Sequence, residues 1–230
     1  MGENETSGVV EENRRLVRVT ACGRDWELER ETDLESLWAA MTTFSGPDAD
    51  DERIPYWTEL WPSSLVLADW LYERRDLLRG RACLDLGCGI GLTSLVGSWI
   101  GARVIGMDYE MEALRYARRN AARNGVPQPG WAVMDWRRPA VRSGSFAFVW
   151  GGDVMYERRF AGPVLDFLDH ALAAGGVAWI AEPSRSVYES FRSVLVGRGW
   201  AGRCVRERNV AALYPQAVPV PVRLWEICRA

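Results

Sequence analysis

Cys83-Leu84-Asp85-Leu86-Gly87-Cys88-Gly89-Ile90-Gly91-Leu92 runs an apolar strand into a carboxylate, then into glycines at alternate positions, then into a helical pattern. Alternate glycines let a backbone turn sharply and pass against a ligand, because residues with a Cβ would clash there. The helix that follows leaves free N–H groups at its N-terminus, pointing at whatever the loop holds. The stretch therefore reads as a nucleotide or nucleoside cradle. A P-loop needs a Lys-Ser/Thr pair after its last glycine, and Leu92-Thr93 stands there instead. A dinucleotide fingerprint needs G-x-G-x-x-G, but its third glycine would fall on Leu92.

Further signals follow downstream. Ala102 to Met107 is a short, mostly apolar strand that ends at Asp108. An acidic side chain there, roughly 20 residues past the glycine loop, can accept both hydroxyls of a ribose. Capping the next helix is the competing role, and one carboxylate can serve both. That helix shows Met111, Leu114, Ala117, Ala121 and Ala122 near helical spacing, and Asn124-Gly125 makes a good stop. Trp131 to Met134 forms a third strand, leading to Asp135 and Trp136. Asp135 can meet an adenine amino group and Trp136 can wall a purine; a turn aspartate beside a core tryptophan fits these residues equally well. Phe146 to Trp150 is a buried-strand run, followed by Gly151-Gly152 and Asp153-Val154-Met155-Tyr156. Upstream, Pro55-Tyr56-Trp57-Thr58-Glu59-Leu60-Trp61-Pro62-Ser63-Ser64 precedes a helix carrying Leu67, Trp70 and Leu71. Pro62 falls at an early helical position, where its missing N–H costs nothing.

The D-x-G-x-G-x-G pattern of Asp85, Gly87, Gly89 and Gly91 resembles the first motif of class I S-adenosylmethionine-dependent methyltransferases. With the aromatic stretch before the first helix and the D-x-x-Y constellation, residues 55–185 are similar to the seven-β-strand protein lysine methyltransferases known as methyltransferase family 16. The resemblance implies S-adenosyl-L-methionine as cofactor, with the loop residues Asp85, Gly87, Cys88, Gly89, Gly91 and Leu92 at its methionine part. It implies Asp108 and Tyr109 at the ribose, Asp135 and Trp136 at the adenine, and Trp61 and Gly152 also against the cofactor. Asp153 and Tyr156 would line the acceptor pocket as catalytic residues. The acceptor stays open: a lysine side chain of a protein, a metabolite amine or hydroxyl, or none at all in a catalytically silent cofactor-binding module. The N-P-P-Y tetrad of nucleic-acid amino methyltransferases is absent, so base methylation is not expected.

At 230 residues, with 48% hydrophobic and 26% charged residues, the chain suits one α/β domain with a real core. The net charge of −3 implies no extended basic face for nucleic acid. No apolar run reaches the length of a membrane span, and the polar N-terminus is not a secretory signal. Cys22, Cys83, Cys88, Cys204 and Cys228 form no C-x-x-C pair, and His170 is the one histidine, so no metal site is expected. A reducing cytoplasm fits best, and nothing in the sequence fixes the oligomeric state.

The expected fold is α/β: a doubly wound, mostly parallel seven-stranded sheet of the class I methyltransferase, Rossmann-like kind. A C-terminal antiparallel hairpin is expected at 201–208 and 220–228, and a small N-terminal β-hairpin at 16–20 and 26–30. Residues 1–54 read as an N-terminal extension comprising a tail, the hairpin, a short helix over Asp33–Met41 and an acidic loop at 47–52. Residues 55–230 read as the methyltransferase domain.

Overall fold

The computed structural model describes residues 15–33, 35, 37, 55–183, 187–211 and 218–230. The acidic loop at 47–52 and the tail before Arg15 lie outside these, as does most of the helix expected over Asp33–Met41. Of that helix, Glu35 and Leu37 are described as helical.

Two antiparallel strands, β1 (Leu16–Ala21) and β2 (Arg24–Glu29), form the N-terminal hairpin. Cys22 and Gly23 both take positive φ, 60° and 68°, as the tightest hairpin turns require. After a single helical turn at Tyr56–Thr58 come α1 (Pro62–Glu73), α2 (Arg75–Leu78), β3 (Ala82–Leu86), α3 (Leu92–Trp99), β4 (Arg103–Asp108), α4 (Met111–Arg123) and β5 (Gly130–Val133). Then follow β6 (Phe146–Gly152), α5 (Ala161–Ala171), β7 (Leu172–Glu182), α6 (Val187–Gly197), β8 (Trp200–Val210) and β9 (Val220–Arg229). Strands β3 to β9 make one seven-stranded sheet in the order β5-β4-β3-β6-β7-β9-β8. The first five in that order run parallel, and β9 pairs antiparallel with both β7 and β8. The expected architecture is therefore the observed one, down to the C-terminal hairpin.

Period-two alternation sends side chains of the central strands into two separate cores. Cys83, Phe148, Trp150 and Trp179 pack with α1, α3 and α4, whereas Leu84, Leu86, Val149 and Ile180 pack with α5 and α6. Both faces of the sheet are covered, which is why these strands are nearly all apolar. The N-terminal hairpin joins the first core through Val17, Val19, Trp26 and Leu28. Asp69 of α1 fastens it further, accepting the Cys22 N–H at 2.8 Å and an Arg208 guanidinium N–H at 2.7 Å.

The topology also places the site. The chain passes from β3 outward to β4 and β5, then returns to the other side of β3 as β6. Loops leaving the C-terminal ends of β3 and β6 diverge at that reversal, and ligands of open α/β sheets bind in the crevice this creates. Among the described residues no helix is long and apolar enough to cross a membrane.

Candidate active site

The glycine loop folds as its sequence demands. Gly87, Gly89 and Gly91 have φ of 64°, 51° and 99°, in the region L-residues rarely enter. Gly91 is doubly constrained, since a Cβ there would lie 2.8 Å from the Ala117 Cβ on α4. The loop is pinned by the Cys88 N–H donating to Met107 O and by the Gly91 N–H donating to Cys88 O, both at 2.9 Å.

Beside the loop, Asp108 ends β4 with 8% exposure. Its carboxylate accepts the Gly89 N–H at 2.9 Å and the Glu110 N–H at 3.0 Å. Burial pushes this carboxyl up to about 6, against the pull of those N–H donors. The helix-capping role weighed from sequence is thus only partial: α4 begins at Met111 behind Glu110, and one Asp108 oxygen holds the glycine loop instead.

The opposite wall comes from the end of β6 and the segment before α1. Asp153 takes φ of 58°, a left-handed conformation that aspartate tolerates better than most side chains but rarely adopts. Its N–H donates to Ala181 O at 2.9 Å, so the end of β7 holds it in place. Strained residues of this kind concentrate at functional sites. Trp61 stands at the N-cap of α1, its indole N–H donating to Tyr56 O at 2.9 Å. Four aromatic rings continue from it around the cleft. Trp61 and Tyr56 lie 6.0 Å apart between centroids, Tyr56 and Tyr156 5.1 Å, Tyr156 and Phe160 4.9 Å, and Phe160 and Trp136 5.2 Å. Burial and the neighbouring Glu157 raise the Tyr156 hydroxyl well above its usual range, so it stays protonated.

One cleft of about 1390 Å³, counted out to its open mouth, brings nearly all the residues expected from sequence together. Trp61, Gly87, Cys88, Gly89, Gly91, Leu92, Asp108, Tyr109, Asp135, Trp136, Gly152, Asp153 and Tyr156 all line it. The exception is Asp85, expected at the cofactor. It lies beneath the loop at 1% exposure, accepting the Thr93 and Ser94 hydroxyls at 2.7 and 2.6 Å. Burial raises its carboxyl to about 7 even with these donors. Asp85 therefore shapes the start of α3 from below and is not a wall of the cleft. Asp135 is in the wall, but its carboxylate is engaged by Arg137, whose Nε–H donates to both oxygens at 3.0 and 2.9 Å.

Several lining residues carried no motif. Tyr56 and Glu59 stood within the aromatic segment without an assigned role, and Phe160, four positions after Tyr156, had no signal beyond its spacing. Glu110, Arg137, Glu157 and Arg159 also line the cleft. His170 stays away from it, with its Nε2 2.7 Å from Val141 O. Among the described residues no group of His, Cys, Asp or Glu is arranged to hold a metal ion.

Comparisons with known proteins bear on the fold and the family. The family model described as "Methyltransferase domain" matches residues 83–195. Ribosomal protein L11 methyltransferase of Pseudomonas putida (strain W619) is 25% identical over 75% of this chain and 62% of its own length. Electron transfer flavoprotein beta subunit lysine methyltransferase of Xenopus laevis is 26% identical over 59% of this chain and 55% of its own. The chain thus spans little more than half the length of these curated relatives. The crystal structure of magnesium protoporphyrin IX methyltransferase from Synechocystis PCC 6803 with bound SAM superposes with a TM-score of 0.59 at 18% identity, covering 86% of this chain and 92% of that one. Fold and cleft together define the class I methyltransferase fold. Within it, residues 83–195 match a methyltransferase domain, and the chain is similar to proteins named as ribosomal protein and lysine methyltransferases.

Proposed function

We propose that the chain is an S-adenosyl-L-methionine-dependent N-methyltransferase whose acceptor is a lysine side chain of a protein. The observation that carries this reading is the meeting of Asp153 and Tyr156 with the glycine loop and Asp108 in one cleft. The cradle suits the cofactor. Gly89 and Gly91 leave the backbone bare where a Cβ would contact Trp57 or Ala117, and Asp108 offers a carboxylate at the end of β4 for ribose hydroxyls.

Charge supports an amine acceptor over an anionic one. Glu59, Asp108, Glu110, Asp135, Asp153 and Glu157 line the cleft, against Arg137 and Arg159 in the lining and Arg30 behind Glu59. Both lining arginines face a carboxylate of their own, Arg137 at Asp135 and Arg159 at Glu157. The excess negative potential draws in a cation and repels phosphate. An ammonium can lie against aromatic faces at a further gain of about 0.5–2 kcal/mol, and Tyr56, Tyr156 and Phe160 supply such faces. Both curated relatives quoted above are, by name, methyltransferases of proteins.

The cofactor, when bound, supplies a sulfonium methyl group that is electrophilic without further activation. What remains for the protein is to align the amine with that methyl group and exclude water, effects that reach about 7–11 kcal/mol in favourable cases. An ammonium has no lone pair, so its proton must pass to solvent water before the N–C bond forms. Asp153 orients the amine, directly or through water, and Tyr156 packs along its alkyl stem. A carboxylate stabilises the charged amine and so opposes deprotonation; Asp153 is accordingly a positioning group here, not the base. The free thiols of Cys22, Cys83 and Cys88, all buried, are in keeping with a reducing cytoplasm.

Asp153→Ala abolishes methyl transfer and leaves cofactor affinity within a few-fold. The check is a calorimetric titration with S-adenosylmethionine paired with tritiated-methyl transfer into a lysate. A labelled protein band made by the wild type and lost in the variant supports the reading. Label confined to the small-molecule fraction assigns a metabolite acceptor, and an equal loss of cofactor affinity moves Asp153 into the cofactor site.

A further inference from the structure

The N-terminal hairpin does not reach the cleft, yet one side chain joins it to the cofactor loop. Asn120, on α4 and fully buried, accepts the Glu29 N–H at 2.6 Å and donates to Glu29 O at 3.0 Å. Its amide also donates to Ile90 O, between the last two glycines of the loop, at 2.9 Å. One turn earlier on the same helix, Ala117 forms the floor on which Gly91 rests. A buried amide with all these partners fixes three backbone segments relative to one another.

Asn124 provides a matched comparison within the molecule. It accepts the Glu27 N–H at 3.0 Å and donates to Glu27 O at 2.8 Å, gripping the same strand in the same manner two residues away. Its side-chain amide also donates to Asn120 O in the last turn of α4, and its backbone O accepts an Arg24 guanidinium N–H; these bonds do not reach the glycine loop. Two asparagines four positions apart thus hold β2, and only the first extends its grip to the loop.

We propose that Asn120 is a positioning residue for the cofactor: it sets the Ile90–Gly91 backbone and couples the N-terminal hairpin to the cofactor loop. The inference rests on the cofactor reading above. It requires that hairpin attachment and cofactor binding stabilise each other by the same factor, since linkage is reciprocal.

The test compares Asn120→Ala with Asn124→Ala. Both variants lower thermal stability, because each releases β2. In a calorimetric titration with S-adenosylmethionine, Asn120→Ala raises Kd about tenfold, near the value of one or two lost hydrogen bonds, whereas Asn124→Ala stays within about twofold of the wild type. In turnover the Asn120 loss falls on KM for the cofactor with kcat preserved. Equal Kd values for both variants, raised or not, overturn the proposal. Should Asn120→Ala fail to fold, hydrogen exchange of the wild type decides. Saturating cofactor must slow exchange at the Glu29 and Arg30 amides more than in the distal β8–β9 hairpin, and no difference between the two regions overturns it. A wild type that does not bind the cofactor at all refutes the cofactor reading itself, which is a separate outcome.

Discussion

Asp108 has two masters in the folded chain. Its oxygens accept the Gly89 and Glu110 N–H groups, and in the proposed complex they also accept ribose hydroxyls. Both tasks need the ionised form, while burial favours the neutral one and lifts the carboxyl to about 6. A cofactor that prefers the ionised carboxylate binds fully above that pH and progressively less below it. Affinity is therefore expected to be flat from pH 7 to 8 and to fall below 6, approaching a tenfold loss per pH unit for one linked proton. Calorimetric titrations at successive pH values check this. Asp108→Asn should bind more weakly at pH 8 and show a flatter profile, whereas an unchanged profile in that variant would remove Asp108 from the ribose site. Asp85 shows what residue-level reading misses. Its place in the motif marked it as important, but a motif does not say on which side of a loop a carboxylate lies. The hydroxyls of Thr93 and Ser94, in the first turn of α3, take it to the underside.

The elements were more legible than the side chains because each strand carries its own signal. Every strand read from the sequence is present, since the apolar runs are short, bounded by glycine or charge, and separated by helical spacing. The unread part is how the elements brace one another. Arg30, at the end of β2, is 2% exposed and donates to a Glu59 carboxylate oxygen at 2.6 Å. Nothing in either local sequence pairs residues this far apart. The bridge ties the hairpin to the aromatic segment that walls the cleft, so its loss should be felt in both. Glu59→Ala removes a carboxylate to which the buried Arg30 guanidinium donates, and is expected to destabilise by about 3 kcal/mol, the low end for a buried pair because Glu59 is itself partly exposed. Glu59→Gln keeps an acceptor for Arg30 and should lose less than half as much. Urea unfolding of the two variants checks the order. Equal losses would mean that side-chain volume at position 59 matters, and the ion pair does not.

Across the whole molecule, two buried carboxyls shape the pH response, Asp85 beneath the glycine loop and Asp108 in the cleft wall. Asp85 and Asp108 are both raised above the ordinary carboxylate value, to about 7 and about 6. Between pH 4 and 7 these two groups therefore hold more protons in the folded chain than in the unfolded one, and their own contribution makes stability fall as pH rises through that window. Above pH 7 their contribution is lost in full. A ligand that binds only the folded state restores stability by RT ln(1 + [L]/Kd), about 2.7 kcal/mol at one hundred times Kd. For a domain of this size that corresponds to a rise in Tm of roughly 5–10 °C. In the proposed complex cofactor affinity is expected to follow the opposite pH course, being strongest where Asp108 is ionised. The two trends together predict a Tm gain from S-adenosylmethionine that is large at pH 8 and much smaller at pH 5. Thermal unfolding with and without the cofactor at the two pH values measures it directly. A gain of equal size at both would mean that the cofactor is indifferent to the charge on Asp108, and the cleft's acidic lining would then have to serve the acceptor alone.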